Sequence, residues 1–578
     1  MWIVAILASA SAAQPGNIEY RICVVSSPIS NSVIRPDAPL PRNCRLGDRI
    51  KVMACRGEYE PASFVIETEK ALETVHVDTT PLRGRRATIP ASTIDIRVAL
   101  PVYRRVTDLP VTLNWLLIHD PNLLLLKDEP WPDEPAGRYT KTHYFTREPV
   151  DSSEPQPADV ARRQQFWVTV HVPNDAAAGQ YTSTLTITAA NARPRKVRLE
   201  LTVPPFDLSP PPFEYSVYYP AYLEGGEIAK DNAGGYIVLT PQQYLAELRN
   251  MAAHGCLNPS IYNGPVLKNG ALDFTTLGRI LDLREQAGMK EDTLYLVSAG
   301  PVETSGALDP AKKESNTRWT RQIVEWAKQR GYPNVYFMGH DEAAGEQLTQ
   351  QRNAWESIHQ GGAKVFAATG PDFYGLVDDV MDLPVVLHPM QVQLDKFSMM
   401  PADQFLGMPD EVRQAIDPRR LCEPGYRAMI EGVHRHGFKI YTYMDPLGGY
   451  TIPETHRRMR GLGLWKSGLD GTMTWAYTHI VRNQFVSPGP VRLHALFDFV
   501  LRGKEATFDT LGWEAYREGY DDARYLATLQ QALQRAESTG KKAKLVRETR
   551  AWLDQVSLDT DMDAWRQEMA RRIEQLSK

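Results

Sequence analysis

The string VPPFDLSPPPFEY, residues 203 to 215, separates two stretches of different hydrophobic grammar, because clustered prolines cannot continue a strand ladder and favour extended connectors. Before it, apolar residues recur at every second position. In QFWVTVHVP, Phe166, Val168, Val170 and Val172 share one face and Trp167, Thr169 and His171 the other, which is the period of a half-buried strand. After NDAAAG turns the chain, YTSTLTI sets Tyr181, Leu185 and Ile187 against Thr182, Thr184 and Thr186, so the two segments read as a hairpin. RICVVSS, RIKVMAC, ASFVIET and TVHVDTT supply further strands, and residues 17–209 are expected to form an antiparallel β-sandwich.

Beyond the prolines, short apolar runs alternate with helical segments, the pattern of βα units. The runs are EYSVYYP, PSIY, TLYLV, NVYFMG, KVFAAT, PVVLH, KIYTYM and GTMTWAY, eight in all. Eight such units predict a (β/α)8 barrel of the TIM type over residues 210–490, whose active site would lie on loops that follow strand C-termini. An insertion between His388 and Pro424 is long enough to overhang that mouth, and residues 491–578, which contain no evident strand, are expected to be helical and to pack on the barrel. At the other end, WIVAILASASAA followed by QPG reads as a signal peptide over residues 1–16, without a basic leading segment, and predicts a secreted or periplasmic protein.

A chain of 578 residues exceeds what one core usually organises, consistent with several domains. A net charge of −5 with no dense basic stripe argues against a nucleic-acid partner. No segment past the leader approaches the roughly 18 to 20 consecutive apolar residues of a spanning helix, so no membrane span is expected. Of five cysteines, Cys23, Cys44 and Cys55 lie close in sequence; a disulfide among them and buried thiols both fit. No CxxC spacing occurs, and His434 and His436 diverge on a helix, so neither a metal site nor a cofactor is predicted.

The chemistry concentrates in VYFMGHDEAAGE, where His340, Asp341 and Glu342 stand behind the fourth apolar run. One reading makes the carboxylates a helix first turn ahead of AAGEQLTQQRNAWESI, where acidic groups meet free N–H groups and the positive end of the dipole. The other is glycoside hydrolysis, in which one carboxyl group protonates the leaving oxygen and a second group stabilises the cationic centre. Neighbouring carboxylates suit this, since the charge of one raises the pKa of the other. They are too close for an inverting pair, which needs about 6.5 to 9.5 Å. Retention with the substrate's own acetamido oxygen as nucleophile fits better, with Asp341 holding that group and Glu342 acting as acid and then base. Trp475, Tyr477, Tyr218, Tyr219, Asn263, His388, Tyr443 and Asp445 fall at predicted strand ends and are placed to line the pocket. His340 is placed to tune Glu342, since alternate strand residues share a face. The acidic REGYDDARYL reads instead as salt bridges along a solvated helix face.

Several phrases in order, GEYEPASFVI, FWVTVHVPNDAAAGQYTSTLTI, ELRNMAAHGCLNP, the HDE doublet, RRMRGLGLWKSGLDGTMTWAY and WEAYREGYDDARYLATL, run from about residue 45 to about residue 530. Together they resemble glycoside hydrolase family 123 and its uncharacterised relatives. The resemblance implies a β-sandwich ahead of a (β/α)8 catalytic domain, a glycan or glycoconjugate substrate, and β-N-acetylgalactosaminidase activity. It also implies Glu342 as the acid/base and Asp341 as the residue that orients the acetamido group and stabilises the oxazolinium. Ala343 stands where the family commonly has proline. A glycosidase for another sugar, and an inactive carbohydrate-binding scaffold, are the alternatives.

Overall fold

A computed structural model describes residues 18–35, 38–106, 109–128, 141–145, 150–226, 237–289, 291–387, 418–443, 448, 452–479, 498–505 and 507–578. The expected leader, His388 with the insertion that follows it to residue 417, and Asp445 lie outside these residues.

Two sheets built from residues 20–203 face one another over a shared apolar core that includes Phe64, Ile66, Phe166, Val168, Leu185, Ile187, Leu199 and Leu201. One sheet runs in the order Cys44–Leu46, Tyr20–Val25, Tyr59–Thr68, Arg163–His171, Ile94–Val106 and Leu109–Ile118. The main path of the other is Ala158–Val160, Leu72–Thr79, Gly179–Ala189, Ala192–Val203 and Arg49–Met53, the last pair being parallel. QFWVTVHVP and YTSTLTI therefore do not form a hairpin. They belong to opposite sheets, and Gly179–Ala189 pairs with Ala192–Val203 instead. The physical reason is that the first strand is buried on both faces. Trp167, on the face read as polar, packs with Trp115 against Leu511 and Ala515 of the C-terminal helix Leu511–Ser538, so that strand occupies the middle of a covered sheet. All five cysteines are free thiols; Cys23 and Cys44 share one small apolar cluster with Val25, while Cys55 contacts the Tyr525 hydroxyl at 3.4 Å.

The second unit corrects the barrel expectation. Seven parallel strands lie in the order Glu214–Val217, Gly471–Thr474, Tyr441–Thr442, Leu383–Val386, Lys364–Thr369, Asn334–Met338 and Thr293–Leu296. The sheet curls into a half-barrel: Tyr295 and Tyr441, four strands apart, bring their hydroxyls to 3.1 Å. It does not close into a (β/α)8 barrel. PSIY, read as a strand, forms no ladder: it makes a single-residue bridge from Ile261 to Leu296 on one side, and Ser260 N–H donates to Val217 O at 3.1 Å on the other. Pro259 has no N–H to give a ladder, and side chains supplement the backbone bond: Ser216 Oγ donates to Asn258 O at 2.7 Å, and Tyr219 N–H donates to Ser260 Oγ at 3.1 Å.

Helices cover the outer face of this sheet. Pro241–Ala253 starts at a reciprocal capping box between Thr240 and Gln243, and buries Tyr244, Leu248 and Met251 toward the strands. The C-terminal region departs from the all-helical expectation, since Val500–Arg502 and Thr507–Asp509 pair as a short hairpin before the helices Leu511–Ser538, Ala543–Gln555 and Met562–Ser577. The acidic REGYDDARYL segment is not solvated either. Glu518, Asp521 and Asp522 are buried where the long helix meets the sandwich and the last helix. Arg566 binds Asp522 at 2.6 Å, Glu518 at 2.6 Å and Glu60 of the sandwich at 3.1 Å, and Arg457 binds Asp522 at 2.7 Å. Among the described residues, no helix is long and apolar enough to cross a membrane.

Candidate active site

The strand Asn334–Met338 is buried over its last four residues, and the chain leaves the sheet at Gly339. Gly339 N–H donates to Phe366 O at 2.8 Å, and His340 N–H donates to the Gln351 side-chain oxygen at 2.7 Å. Glu342 then takes a left-handed backbone with φ of 52°. For a residue with a Cβ this costs roughly 1 kcal/mol or more and persists only where the surroundings impose it. They do so here: Glu342 N–H donates to Ala368 O at 3.0 Å, and Ala343 bridges Thr369 in the neighbouring strand. The result is a sharp turn that presents His340, Asp341 and Glu342 to solvent at the C-terminal end of the parallel sheet while Ala343 is buried.

This turn is not a helix cap. The next helix, Glu346–Thr349, begins at Gly345 with no side-chain capping bond, and Gly345 N–H donates to Asp372 at 3.1 Å. Crowding by surrounding protein, and then the charge of Glu342, push the Asp341 carboxyl up to about 6. Its side chain remains reachable by water, so it sits in a concave mouth rather than in a sealed core.

Aromatic side chains form that mouth. The Tyr218 ring meets Tyr443 edge-on at 5.4 Å and Trp475 at 5.6 Å; Trp475 contacts His479 at 5.1 Å, and Tyr222 meets Tyr262 edge-on at 6.0 Å. Burial, and after it charges that include Asp341, keep the Tyr218, Tyr262 and Tyr443 hydroxyls protonated well beyond the usual phenol range. Each is therefore a hydrogen-bond donor within electrostatic reach of the doublet. Tyr218 is 1% exposed and its hydroxyl has no hydrogen-bond partner among the described residues. A buried donor of this kind gains when a polar ligand arrives.

Of the expected pocket residues, the structure gathers His340, Asp341, Glu342, Tyr443 and Trp475 at this end of the sheet. Asn263 is buried beside it, accepting Leu223 N–H at 2.8 Å, and so shapes the loop after the first strand. Tyr219 and Tyr477 lie on the other side of the sheet. Tyr219 packs on Tyr244 and Tyr477; Tyr477 packs on Trp513 and is hydrogen-bonded to Asn250 at 3.0 Å and Thr507 at 3.1 Å. His388 and Asp445 lie outside the described residues. Tyr222, Tyr262, His479 and Gln351 were not singled out from sequence. Tyr262 immediately precedes Asn263, so a one-residue shift in the assumed strand end would have found it.

His254, Asp509 and Glu514 are the one group among the described residues with atoms close enough for a shared metal ion, within 4.8 Å. The group is already compensated. Arg97 binds Asp509 at 2.7 Å, Asn250 donates to Asp509 at 2.7 Å, Arg517 pairs with Glu514, and His254 Nδ1 is bonded to Asn250 O at 2.8 Å. It reads as an ion-pair cluster joining sandwich and helix.

No family model and no curated protein matches the sequence. The fold is shared with a glycoside hydrolase of family 123. That structure, from Clostridium perfringens and described in terms of glycolipid glycan hydrolysis, superposes with a TM-score of 0.58 over 91% of this chain and 93% of its own, at 11% identity. A GH5 xyloglucanase from Bacteroides ovatus covers 82% of this chain and 98% of its own at 9% identity, but its TM-score of 0.32 is too low to carry an argument.

Proposed function

We propose that this protein is a retaining glycoside hydrolase that removes β-linked 2-acetamido sugars, N-acetylgalactosamine foremost, with the substrate's acetamido group as nucleophile. The observation that carries the reading is the adjacent Asp341–Glu342 pair, held in a strained turn at the C-terminal end of a parallel strand inside an aromatic mouth. The fold shared with a family 123 hydrolase supports it.

Glu342 donates a proton to the glycosidic oxygen as the bond to the anomeric carbon breaks. The acetamido carbonyl oxygen attacks that carbon from the opposite face, forming an oxazolinium. Asp341, as carboxylate, accepts the acetamido N–H and offsets the positive charge. Glu342 then takes a proton from the incoming water, which opens the ring with net retention. Trp475 offers a face for the sugar ring, and Tyr218 and Tyr443 offer hydroxyl donors beside it.

The test uses para-nitrophenyl β-GalNAc and β-GlcNAc with the wild type, Glu342→Gln and Asp341→Asn. Turnover by the wild type with a loss of about 10²-fold or more in each variant is expected. Equal rates in all three would remove the doublet from the mechanism, and glycan binding without turnover would mark a noncatalytic carbohydrate-binding protein.

A further inference from the structure

We propose that Gln351 is a positioning residue for the Asp341–Glu342 pair, acting through the His340 peptide; this rests on the proposed hydrolase reading. Three backbone N–H groups pin the turn, and two of them, those of Gly339 and Glu342, donate to carbonyls of the neighbouring strand Lys364–Thr369. Any sequence could supply those acceptors. The third, from His340, ends on one side chain, the Gln351 amide oxygen, at 2.7 Å.

The local packing holds that amide in place. Gln351 is fully buried, and its amide nitrogen donates to Gln347 O at 2.9 Å, so one end of the amide is committed as donor and the other as acceptor. Gly339 presses on it from the turn side: a Cβ there would lie 3.2 Å from Gln351 Oε1 and 3.0 Å from the Trp355 ring. Trp355 is itself held by a bond from its indole N–H to Thr304 O at 3.0 Å. Gln351 thus carries the tertiary framework to the peptide immediately ahead of Asp341. Without the acceptor, the His340 N–H would have to turn to find another, and the left-handed Glu342 could relax toward a cheaper conformation. Both carboxylates would move, and a displacement of about 1 Å can cost about a hundredfold in rate.

Gln351→Met keeps volume and removes both bonds. Gln351→Glu keeps both while protonated, because a carboxylic acid presents a carbonyl acceptor and an O–H donor in the same fork, and loses the donor when ionised. Rates on the para-nitrophenyl substrate that the wild type turns over are measured at about pH 5 and about pH 8. For Gln351→Met we expect kcat lower by about tenfold or more, relative to the wild type at each pH, with KM within about twofold. For Gln351→Glu the ratio to the wild type should stay near one at the lower pH, where the protonated side chain keeps both bonds; ionisation at the higher pH keeps the acceptor for the His340 N–H and loses only the donor to Gln347 O. If Gln351→Met does not fold, Gln351→Ala, which removes the acceptor without adding bulk, carries the test. Wild-type kcat in Gln351→Met, or a Gln351→Glu as impaired as Gln351→Met at the lower pH, would overturn the proposal. Glu342→Gln run alongside separates the two readings: if it is inactive while the Gln351 variants behave as wild type, only the positioning role fails, whereas an active Glu342→Gln removes the doublet itself.

Discussion

At the scale of single residues, the proposed roles of Asp341 and Glu342 make one pH-dependent prediction. In the proposed mechanism Asp341 acts as a carboxylate, yet its neighbours hold its proton up to about pH 6. On the proposed hydrolase reading, kcat/KM should therefore fall as pH drops through about 6, with Asp341 protonating and losing its acceptor function, and Asp341→Asn should lack that acid limb; the pH–rate profiles of the two proteins check this. The residue types of this pair, their order and their place after an apolar run were all legible in the sequence. Which side chains surround them was not. Alternation holds only within the ladder, and the strands stop sooner than the apolar runs do: the last sheet strand ends at Thr474, so Trp475 turns to the mouth while Tyr477 packs outward on Trp513. The first ends at Val217, and Tyr218 and Tyr219 likewise take opposite sides. A one-residue error in a strand end exchanges the two faces.

At the scale of elements, a tight constraint lies at the crossing between the helix Leu511–Ser538 and the segment Pro453–Gly463. A Cβ on Gly519 would lie 2.6 Å from Arg457 O and 2.8 Å from Arg460 Cβ, and one on Gly461 would lie 3.0 Å from Gly519 O. Gly519→Ala should destabilise the fold by about 1 to 3 kcal/mol, visible as a lower urea midpoint with an unchanged slope. Both glycines sit in phrases that carried the family resemblance, but nothing in a single sequence pairs them, because the crossing joins helices that are far apart along the chain. The same limit explains the sheet. Apolar runs revealed the parallel strands, but Pro259 lies inside one of them, and the serine hydroxyls that supplement its backbone bonding have no periodic signature. The strands Val500–Arg502 and Thr507–Asp509, three residues each, are too short to display a period at all.

At the scale of the whole molecule, the two units are joined by buried charge. Burial pushes Glu58 up to about 8 and Glu518 up to about 7, against the pull of Arg566. A carboxyl that binds its proton more tightly folded than unfolded makes stability fall as pH rises between its two pKa values. Thermal midpoints should thus drop from about pH 5 to about pH 8, and Glu58→Gln should flatten that slope in scanning calorimetry. Arg566→Met leaves several acids without their shared cation and should cost about 3 to 5 kcal/mol by urea denaturation. The long helix that brings these groups together also covers Trp167 and Trp115 on the outer face of the sandwich. It follows that the sandwich is no detachable accessory. A truncation at the proline string would strip a protein-side wall from that helix and strand Arg566 beside half its acids, so the two units stand or fall as one piece.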